Sequence, residues 1–197
     1  NVAQVLVRYY DKGFEKRSFM DAKGRPVMNN NGVCFYRIKY DEKGYPVSQY
    51  NYNHREVLAT DVHGVAQYIW DTDAKGRRIK SMRFNAQGQR IIDNKGIYEL
   101  TYKYDNNDNI SELRIFGTEG QLIENIDEYA IVKWKYDSNG NETELSFYGK
   151  DEKLKNNANN YAKIVSEYDA KGNKVKETFF DADNKLVENK NQFASTV

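Results

Sequence analysis

The chain repeats one short pattern at a period of about 32 residues, and a period of this size indicates a tandem-repeat architecture. Each repeat has an anchor residue followed by an Asp-x-x-Gly turn or a close variant. The anchors are Tyr40, Thr72, Tyr104, Tyr136 and Tyr168. A second aromatic residue follows each anchor at a constant spacing: Tyr52, Phe84, Phe116, Tyr148 and Phe180. Because the copies are alike, the sequence predicts one continuous repeat array over residues 1–197.

The array divides into six predicted units. The first is a degraded copy, with Met20 in the second aromatic position and a turn that ends at Gly13. The unit boundaries are 1–32, 33–64, 65–96, 97–128, 129–160 and 161–197. Residues 184–197 lose the pattern, and we interpret them as a cap or a frayed end.

The pattern inside a unit predicts β-hairpins. In residues 130–136, apolar and aromatic side chains occupy every second position, as in a half-buried strand. The Asp-x-x-Gly segment suits a type I turn that closes a hairpin with a bulge. A second strand, a second turn, a brief third strand and an Asn-rich loop complete the unit. Only the eight or so residues after each Asn-rich loop, such as 160–168, leave helix as an alternative. The predicted fold class is all-β, with tandem hairpin repeats forming an elongated antiparallel sheet or a β-solenoid.

Composition argues against several classes of function. Lys+Arg 30 against Asp+Glu 29 leaves a net charge of +1, without the basic field that nucleic-acid binding requires. No apolar stretch approaches the length that a membrane-spanning helix needs, so we predict no membrane span. The single cysteine, Cys34, excludes an internal disulfide and occupies a slot held by alanine in other copies, so we expect it to be buried.

Catalytic and metal-binding patterns are weak. His54 and His63 flank Asp61 in one irregular copy, but a zinc site needs more protein ligands than this loop supplies. The acidic turns 71–73, 105–108 and 181–183 are the candidates for calcium, which binds clustered oxygen ligands. Turn chemistry alone explains these aspartates, and lysines occupy the equivalent turns of other copies. We predict that the chain is not an enzyme and has no catalytic residue, metal or cofactor.

The aromatic residues are the best candidates for contact with a partner. Most are expected to form the core, but rows of tyrosine and tryptophan also suit sugar stacking or protein contact. The doublets Phe147–Tyr148 and Phe179–Phe180 must place one ring on each side of a strand. The candidate partner-binding residues are Trp70, Trp134, Tyr148 and Phe180.

The phrases Tyr40-Asp41-x-x-Gly44, Tyr136-Asp137-x-x-Gly140 and Tyr168-Asp169-x-x-Gly172 resemble the bacterial YD-repeat (Rhs-like) family. The resemblance covers nearly the whole chain and implies a β-repeat architecture. Rhs-type proteins use such repeats to wrap a shell around a toxin. The Phe-x-Asp-x-x-Gly pieces also resemble repeat modules in large envelope proteins of Gram-negative bacteria. A second similarity is to the choline- or glucan-binding repeats of cell-wall proteins.

These observations lead to one functional expectation and two alternatives. We expect a non-enzymatic β-repeat module that serves as a protein–protein interaction surface or spacer in a larger bacterial envelope or surface protein. One alternative is a carbohydrate-binding repeat for glycan or cell wall; the other is an accessory part of an enzyme or toxin. The expected location is periplasmic, cell-surface or secreted. The chain opens inside a repeat, so we expect it to be part of a longer protein. Open sheet edges predict end-to-end self-association.

Overall fold

A computed structural model describes residues 2–10, 13–191 and 194–196, and the fold is all-β as predicted. Two compact units, Asn1–Glu99 and Leu100–Val197, divide the chain. In the first unit the strands are β1 (Gln4–Tyr10), β2 (Phe14–Met20), β3 (Phe35–Tyr40), β4 (Pro46–Tyr52), β5 (Gln67–Thr72) and β6 (Arg78–Phe84). No helix in the described ranges is long and apolar enough to cross a membrane.

The second unit continues the same alternation of strands and turns. β7 (Glu99–Tyr104) begins on the last residue of the first unit. It is followed by β8 (Ile110–Phe116), β9 (Ile131–Tyr136), β10 (Glu142–Tyr148), β11 (Lys163–Tyr168), β12 (Lys174–Phe180) and the short β13 (Ser195–Thr196). Residues 163–168, where helix was an alternative, therefore form a strand. In each unit, neighbours in sequence are neighbours in the sheet and run antiparallel.

Each repeat is a hairpin made of a first strand and a second strand. In four copies the residue before the first strand donates its amide to the carbonyl of the second aromatic: Cys34 to Tyr52 at 2.9 Å, Ala66 to Phe84 at 3.0 Å, Ala130 to Tyr148 at 2.8 Å and Ala162 to Phe180 at 2.8 Å. Hairpin registers shift near the turn, for example between Lys39 and Tyr40, which confirms the predicted bulge. The brief third strand is a single bridge in each copy, such as Tyr52 to Leu58.

Three turns of one geometry occur in every complete repeat. Successive turns are opened by Asp41, Asn53, Asp61 and Asp73. The stretch from Asn53 to Asp61 is shorter than the stretches from Asp41 to Asn53 and from Asp61 to Asp73, which are equal in length. In each turn the amide of the fourth residue donates to the carbonyl of the first. The amide of the first residue donates in turn to the carbonyl of the fifth. The opening Asp or Asn side chain usually accepts further amide hydrogen bonds, as Asp41 Oδ1 does from Lys43 and Tyr45.

The third turn of the repeat is the segment that the sequence analysis described as an Asn-rich loop. Asp61 opens such a turn and Gly64 closes it in the left-handed conformation, with φ 82°. Successive third turns are also joined by backbone hydrogen bonds. In the first unit Val62 donates to Asn31 at 3.0 Å and Asn94 donates to His63 at 3.1 Å. The Asn-rich loop is therefore a turn of the same kind as the other two, as its Asp/Asn-x-x-Gly signature indicates.

The segment after residue 184 continues the repeat instead of losing it. Asp181 to Asn184 forms the same turn, with Asn184 at φ 61° in the glycine position. Phe180 bridges to Leu186, as in the other copies. Ala194 accepts the amide of Phe179 at 3.0 Å, the bond that Ala162 makes with Phe147. The predicted cap or frayed end is therefore wrong for the described part of this segment. The predicted turn that ends at Gly13 includes residues 11 and 12, which lie outside the described ranges.

The core lies mainly along one side of the strands. In the first unit this core face carries Cys34, Ile38 and Trp70, all less than a tenth exposed, and the fully buried Ala66 lies at its end. In the second unit it carries Ile115, Val132 and Phe147. The opposite side, which we call the charged face, carries lysines, arginines and the second aromatics of the repeats, including Lys16, Arg37 and Tyr52 in the first unit and Lys133, Tyr148 and Phe180 in the second.

Candidate functional site

The four candidate partner-binding aromatics fall on different faces of the strands. Trp70 lies on the core face, is 8% exposed and is covered by Arg78, whose guanidinium carbon lies 4.0 Å from the ring centroid. Trp134 is half-buried on the core face of the second unit. Tyr148 and Phe180 lie on the charged face. Trp70 is thus too buried to serve as an exposed contact ring, and Trp134 does not share a row with the other two.

The doublets separate their rings as the sequence predicts. Phe147 and Phe179 are buried on the core face, whereas Tyr148 and Phe180 are half-exposed on the charged face. Lysine ammonium groups cover both outer rings. Lys133 Nζ is 4.6 Å from the Tyr148 centroid, and Lys163 Nζ is 4.8 Å from the Phe180 centroid. These contacts are short enough for a cation–π interaction, so the two outer rings already have a partner within the chain.

The histidines and the acidic turns do not converge. His63 Nδ1 lies 3.3 Å from Asn94 Oδ1, and His54 is exposed on another turn. In the described ranges no group of three or more His, Cys, Asp or Glu side chains is arranged to hold a metal. The turn aspartates instead accept hydrogen bonds from their own backbone, as Asp105 Oδ1 does from Asn107 and Asn109 at 2.9 Å. Cys34 is buried as expected, and burial raises the pKa of its thiol.

A buried polar cluster on the core face was not predicted. The hydroxyl of Tyr68 donates to Asp61 Oδ2 at 2.7 Å, and Asn51, which is fully buried, donates to the carbonyl of Val65 at 2.9 Å. Burial and the nearby Asp61 carboxylate raise the pKa of Tyr68 well above its usual value. This tyrosine therefore stays protonated and holds the third turn against β5. It does not act as a base or nucleophile at neutral pH.

In the next copy an ion pair takes the place of the hydrogen bond between Tyr68 and Asp61. Arg83 and Asp93 are both buried, and Arg83 Nε donates to Asp93 Oδ2 at 2.6 Å. The guanidinium also donates to the carbonyl of Tyr98 at 3.3 Å. The charges are paired within the core, which makes this a structural contact. The signal in the sequence was a polar residue, Asn51 or Arg83, in the slot that holds Phe19, Ile115, Phe147 or Phe179 elsewhere.

Strand β1 forms an open edge of the first unit. It pairs with β2 along residues Gln4 to Tyr10 and has no strand on its other side within the described ranges. All seven of its residues are exposed, and its apolar side chains include Val5 at 52% and Tyr9 at 78% exposure. An exposed edge strand with apolar side chains offers both unpaired backbone groups and apolar surface. This edge is the first candidate site.

A groove on the charged face of β1 to β4 is the second candidate site. Its volume is about 700 Å³. The aromatic side chains that line it are Tyr10, Phe14, Tyr50 and Tyr52, and the charged residues along it are Arg8, Glu15, Lys16, Arg37 and Glu56. A smaller cavity of about 190 Å³ shares Arg8, Lys16 and Glu56 and so continues the groove along the strands.

The charges of the groove are mostly paired with one another. Glu56 accepts hydrogen bonds from Lys16 at 2.8 Å and from Arg37 at 3.4 Å. Lys16 Nζ also lies 3.8 Å above the Phe35 ring, which stacks on Tyr52 with a centroid distance of 4.8 Å. Arg8, by contrast, has no ion-pair partner among the described residues. The floor of the groove is thus fixed, and one guanidinium in its wall remains available.

Comparison with known proteins gives similarity at the level of structure only. No protein-family model matches the chain, and no curated protein sequence matches it. One similar solved structure is "Crystal Structure of TcdB2-TccC3", with 15% identity and a TM-score of 0.43 over 93% of this chain and 10% of that chain. A second is "Crystal Structure of TcdB2-TccC3-TEV", with 14% identity and a TM-score of 0.32 over 93% of this chain and 11% of that chain. This chain spans about a tenth of the length of either.

Proposed function

We propose that the chain is a non-enzymatic β-repeat module that binds a protein strand along the open edge of β1. Its setting would be a larger bacterial envelope or surface protein, located in the periplasm, at the cell surface or outside the cell. The observation that carries the proposal is the exposure of all seven residues of β1. Such an edge accepts an added strand through main-chain hydrogen bonds, while alternate side chains give specificity.

A second copy of the chain is the partner that fits this edge. Within the units, a first strand of a hairpin has a second strand on either side, as β3 has β2 and β4. Among the strands of the described residues, β1 is a first strand that has β2 as its neighbour on one side and none on the other. A second strand from another copy matches the remaining edge in type and direction. End-to-end association through this edge follows.

The test is the oligomeric state of the whole chain, measured by size-exclusion chromatography with light scattering over a range of concentrations. We expect the mass to rise with concentration. Val7→Lys places a charge on the edge strand, at a residue that is 40% exposed, and should keep the chain monomeric. Ile126→Lys is the matched control, because Ile126 is 54% exposed on a turn of the second unit. A wild-type chain that stays monomeric at the highest concentration contradicts the proposed partner.

Glycan binding is the second candidate function, and the groove favours it. Tyr10, Tyr50 and Tyr52 line the groove beside charged groups, an arrangement that suits sugar recognition. The rings proposed from the sequence, Trp70 and Trp134, are less suitable because Trp70 is buried. A glycan-array screen of the whole chain, with Tyr10→Ala beside it, tests this candidate. Hits that persist unchanged in Tyr10→Ala would exclude the groove.

A further inference from the structure

We propose that the groove on the charged face of β1 to β4 binds an acidic glycan, with Arg8 as the carboxylate-binding residue. This inference rests on the second candidate function, glycan binding, and is independent of strand addition at the edge of β1. It assigns the class of sugar: a chain that carries one carboxylate per ring, as uronic acids do.

The charge balance of the groove favours a ligand with sparse negative charge. Its cations outnumber its accessible carboxylates. Glu15 also lines the groove, but its carboxylate is buried and held by Tyr40 and Arg17, so Glu56 is the exposed carboxylate. Lys16 and Arg37 are held by Glu56, so Arg8 is the cation with no partner among the described residues. A single guanidinium binds one carboxylate in bidentate geometry. Nucleic acid, with a phosphate at every nucleotide, would need a much more basic surface.

The other lining groups favour a sugar over an acidic peptide. Tyr10 is 51% exposed, and its ring offers a flat apolar face for the C–H groups of a pyranose. Tyr50 lies opposite Arg37 in the register of β3 and β4, on the same side of the sheet. The Glu56 side chain is 57% exposed even while it pairs with the two cations. Its carboxylate can accept hydrogen bonds from sugar hydroxyls, which the side chains of an acidic peptide do not supply.

The turn position of Glu56 fixes the cations of the groove floor. Glu56 occupies the fourth position of its turn at φ 59°, a left-handed conformation that glycine adopts with less strain. Glycine fills the equivalent position at Gly24 and Gly88, and Glu152 fills it in the second unit, where it pairs with Arg114. Glu56 likewise binds cations of the charged face and so holds Lys16 and Arg37 in the groove floor.

The test measures binding of α-1,4-linked tetragalacturonate to the whole chain by isothermal titration calorimetry at low ionic strength. We expect binding that weakens about tenfold in Arg8→Gln, because a charge-assisted hydrogen bond is lost. Lys43→Gln makes the same charge change at an exposed turn residue outside the groove, and it should change the Kd by less than about twofold.

A pair of adjacent tyrosines provides the second variant and its control. Tyr10 lines the groove, and Tyr9 is exposed on the opposite side of the same strand. We expect Tyr10→Ala to weaken binding about tenfold and Tyr9→Ala to leave the Kd within about twofold. Thermal unfolding of each variant confirms that it is folded. Equal effects of the two substitutions would overturn the assignment of the groove.

Two further ligands distinguish a failure of the acidic-glycan inference from a failure of glycan binding itself. The fully methyl-esterified tetrasaccharide is uncharged, and we expect it to bind at least tenfold more weakly. If it binds equally well, glycan binding stands and the acidic class is wrong. If tetraglutamate binds as tightly as the sugar acid, the groove recognises charge alone and the sugar assignment is wrong. If no saccharide binds at millimolar concentration, both the inference and the glycan candidate fail.

Discussion

The hydroxyl of Tyr68 donates a hydrogen bond of 2.7 Å to Oδ2 of Asp61 and so joins β5 to the turn that precedes it. Tyr68→Phe removes the short hydroxyl bond to Oδ2 of this half-buried carboxylate and leaves that oxygen only the longer bond from Asn51 at 3.4 Å. We expect the free energy of unfolding to fall by about 1–3 kcal/mol, measured by urea denaturation. Tyr36→Phe is the matched control, because Tyr36 occupies the same position one repeat earlier and contacts the neutral Asn29. A larger loss in Tyr36→Phe would contradict the special role of the carboxylate.

The same pair predicts a dependence of stability on alkaline pH. Burial and Asp61 raise the pKa of Tyr68 in the folded state above its usual value of 10.0. The folded chain therefore holds this proton more tightly than the unfolded chain. Its contribution to stability is complete below about pH 10 and is lost as the pH rises further. Thermal unfolding between pH 9 and 11 should show a steeper loss for the wild type than for Tyr68→Phe. Parallel curves would contradict this origin.

Glu112 predicts a dependence on acid pH. Burial alone would raise the pKa of this carboxyl, but hydrogen bonds from Arg114 and Lys103 outweigh burial and lower the pKa from 4.5 to about 2. The contribution to stability is therefore present above about pH 4.5 and is lost as the pH falls toward 2. Its full size is at most about 3 kcal/mol. Urea denaturation at pH 3 and pH 6 should show a smaller difference in Glu112→Gln than in the wild type. An unchanged difference would exclude Glu112 as the source.

The left-handed turn residues predict stabilising substitutions to glycine. Glu128 closes a turn at φ 65° and is exposed. Glu128→Gly should raise the free energy of unfolding by about 1 kcal/mol, because glycine adopts this conformation without a Cβ clash. Glu152→Gly provides the comparison, since Glu152 has φ 61° but also pairs with Arg114 at 3.0 Å. We expect a smaller gain there. Both changes can be followed by chemical denaturation, and a loss of stability in Glu128→Gly would contradict the strain argument.

The hydrogen bonds of the residue that opens each turn predict different losses of stability for Asp41→Ala and Asp41→Asn. Asp41 Oδ1 accepts the amides of Lys43 at 2.9 Å and Tyr45 at 2.8 Å. Asp41→Ala removes the acceptor and should lower the free energy of unfolding by about 1–2 kcal/mol. Asp41→Asn retains an acceptor oxygen, as the natural Asn85 does in its own turn, and should change stability by less than about 0.5 kcal/mol. Equal losses in the two variants would show that the carboxylate charge matters more than the acceptor.

The alternation of residues and the turn signatures were enough to predict the strands and hairpins. They did not distinguish the third turn from a loop, because its copies are rich in asparagine and two of them have Glu128 or Asn160 in the glycine position. Strand alternation places Trp70 on the core face, but it does not show that Arg78 on the next strand covers the ring, because the sequence does not fix how far a guanidinium reaches. Strand alternation placed Tyr148 and Phe180 on the outer side correctly. It did not show that Lys133 and Lys163 cover them.

The groove is formed by side chains from four strands that the register of the sheet aligns. No single sequence motif contains these side chains, so the sequence alone did not predict the groove. Arg8, Lys16, Arg37 and Tyr50 lie on four successive strands, and they meet because each strand pairs antiparallel with the next. The first copy departs from the repeat pattern, and within it Arg8 and Tyr10 lie on the same side of β1 at the wall of the groove.

The regular spacing of the turn openings determines which insertions and deletions a chain of this kind can accept. One residue added between two openings would reverse the faces of every later position in that strand. It would also move the turn away from its hydrogen-bonded counterpart in the preceding repeat, as with Val62 and Asn31. A whole copy added or removed disturbs neither relation. Genes for chains of this kind should therefore vary in length by recombination between copies, in steps of one complete repeat, and should tolerate few shorter insertions.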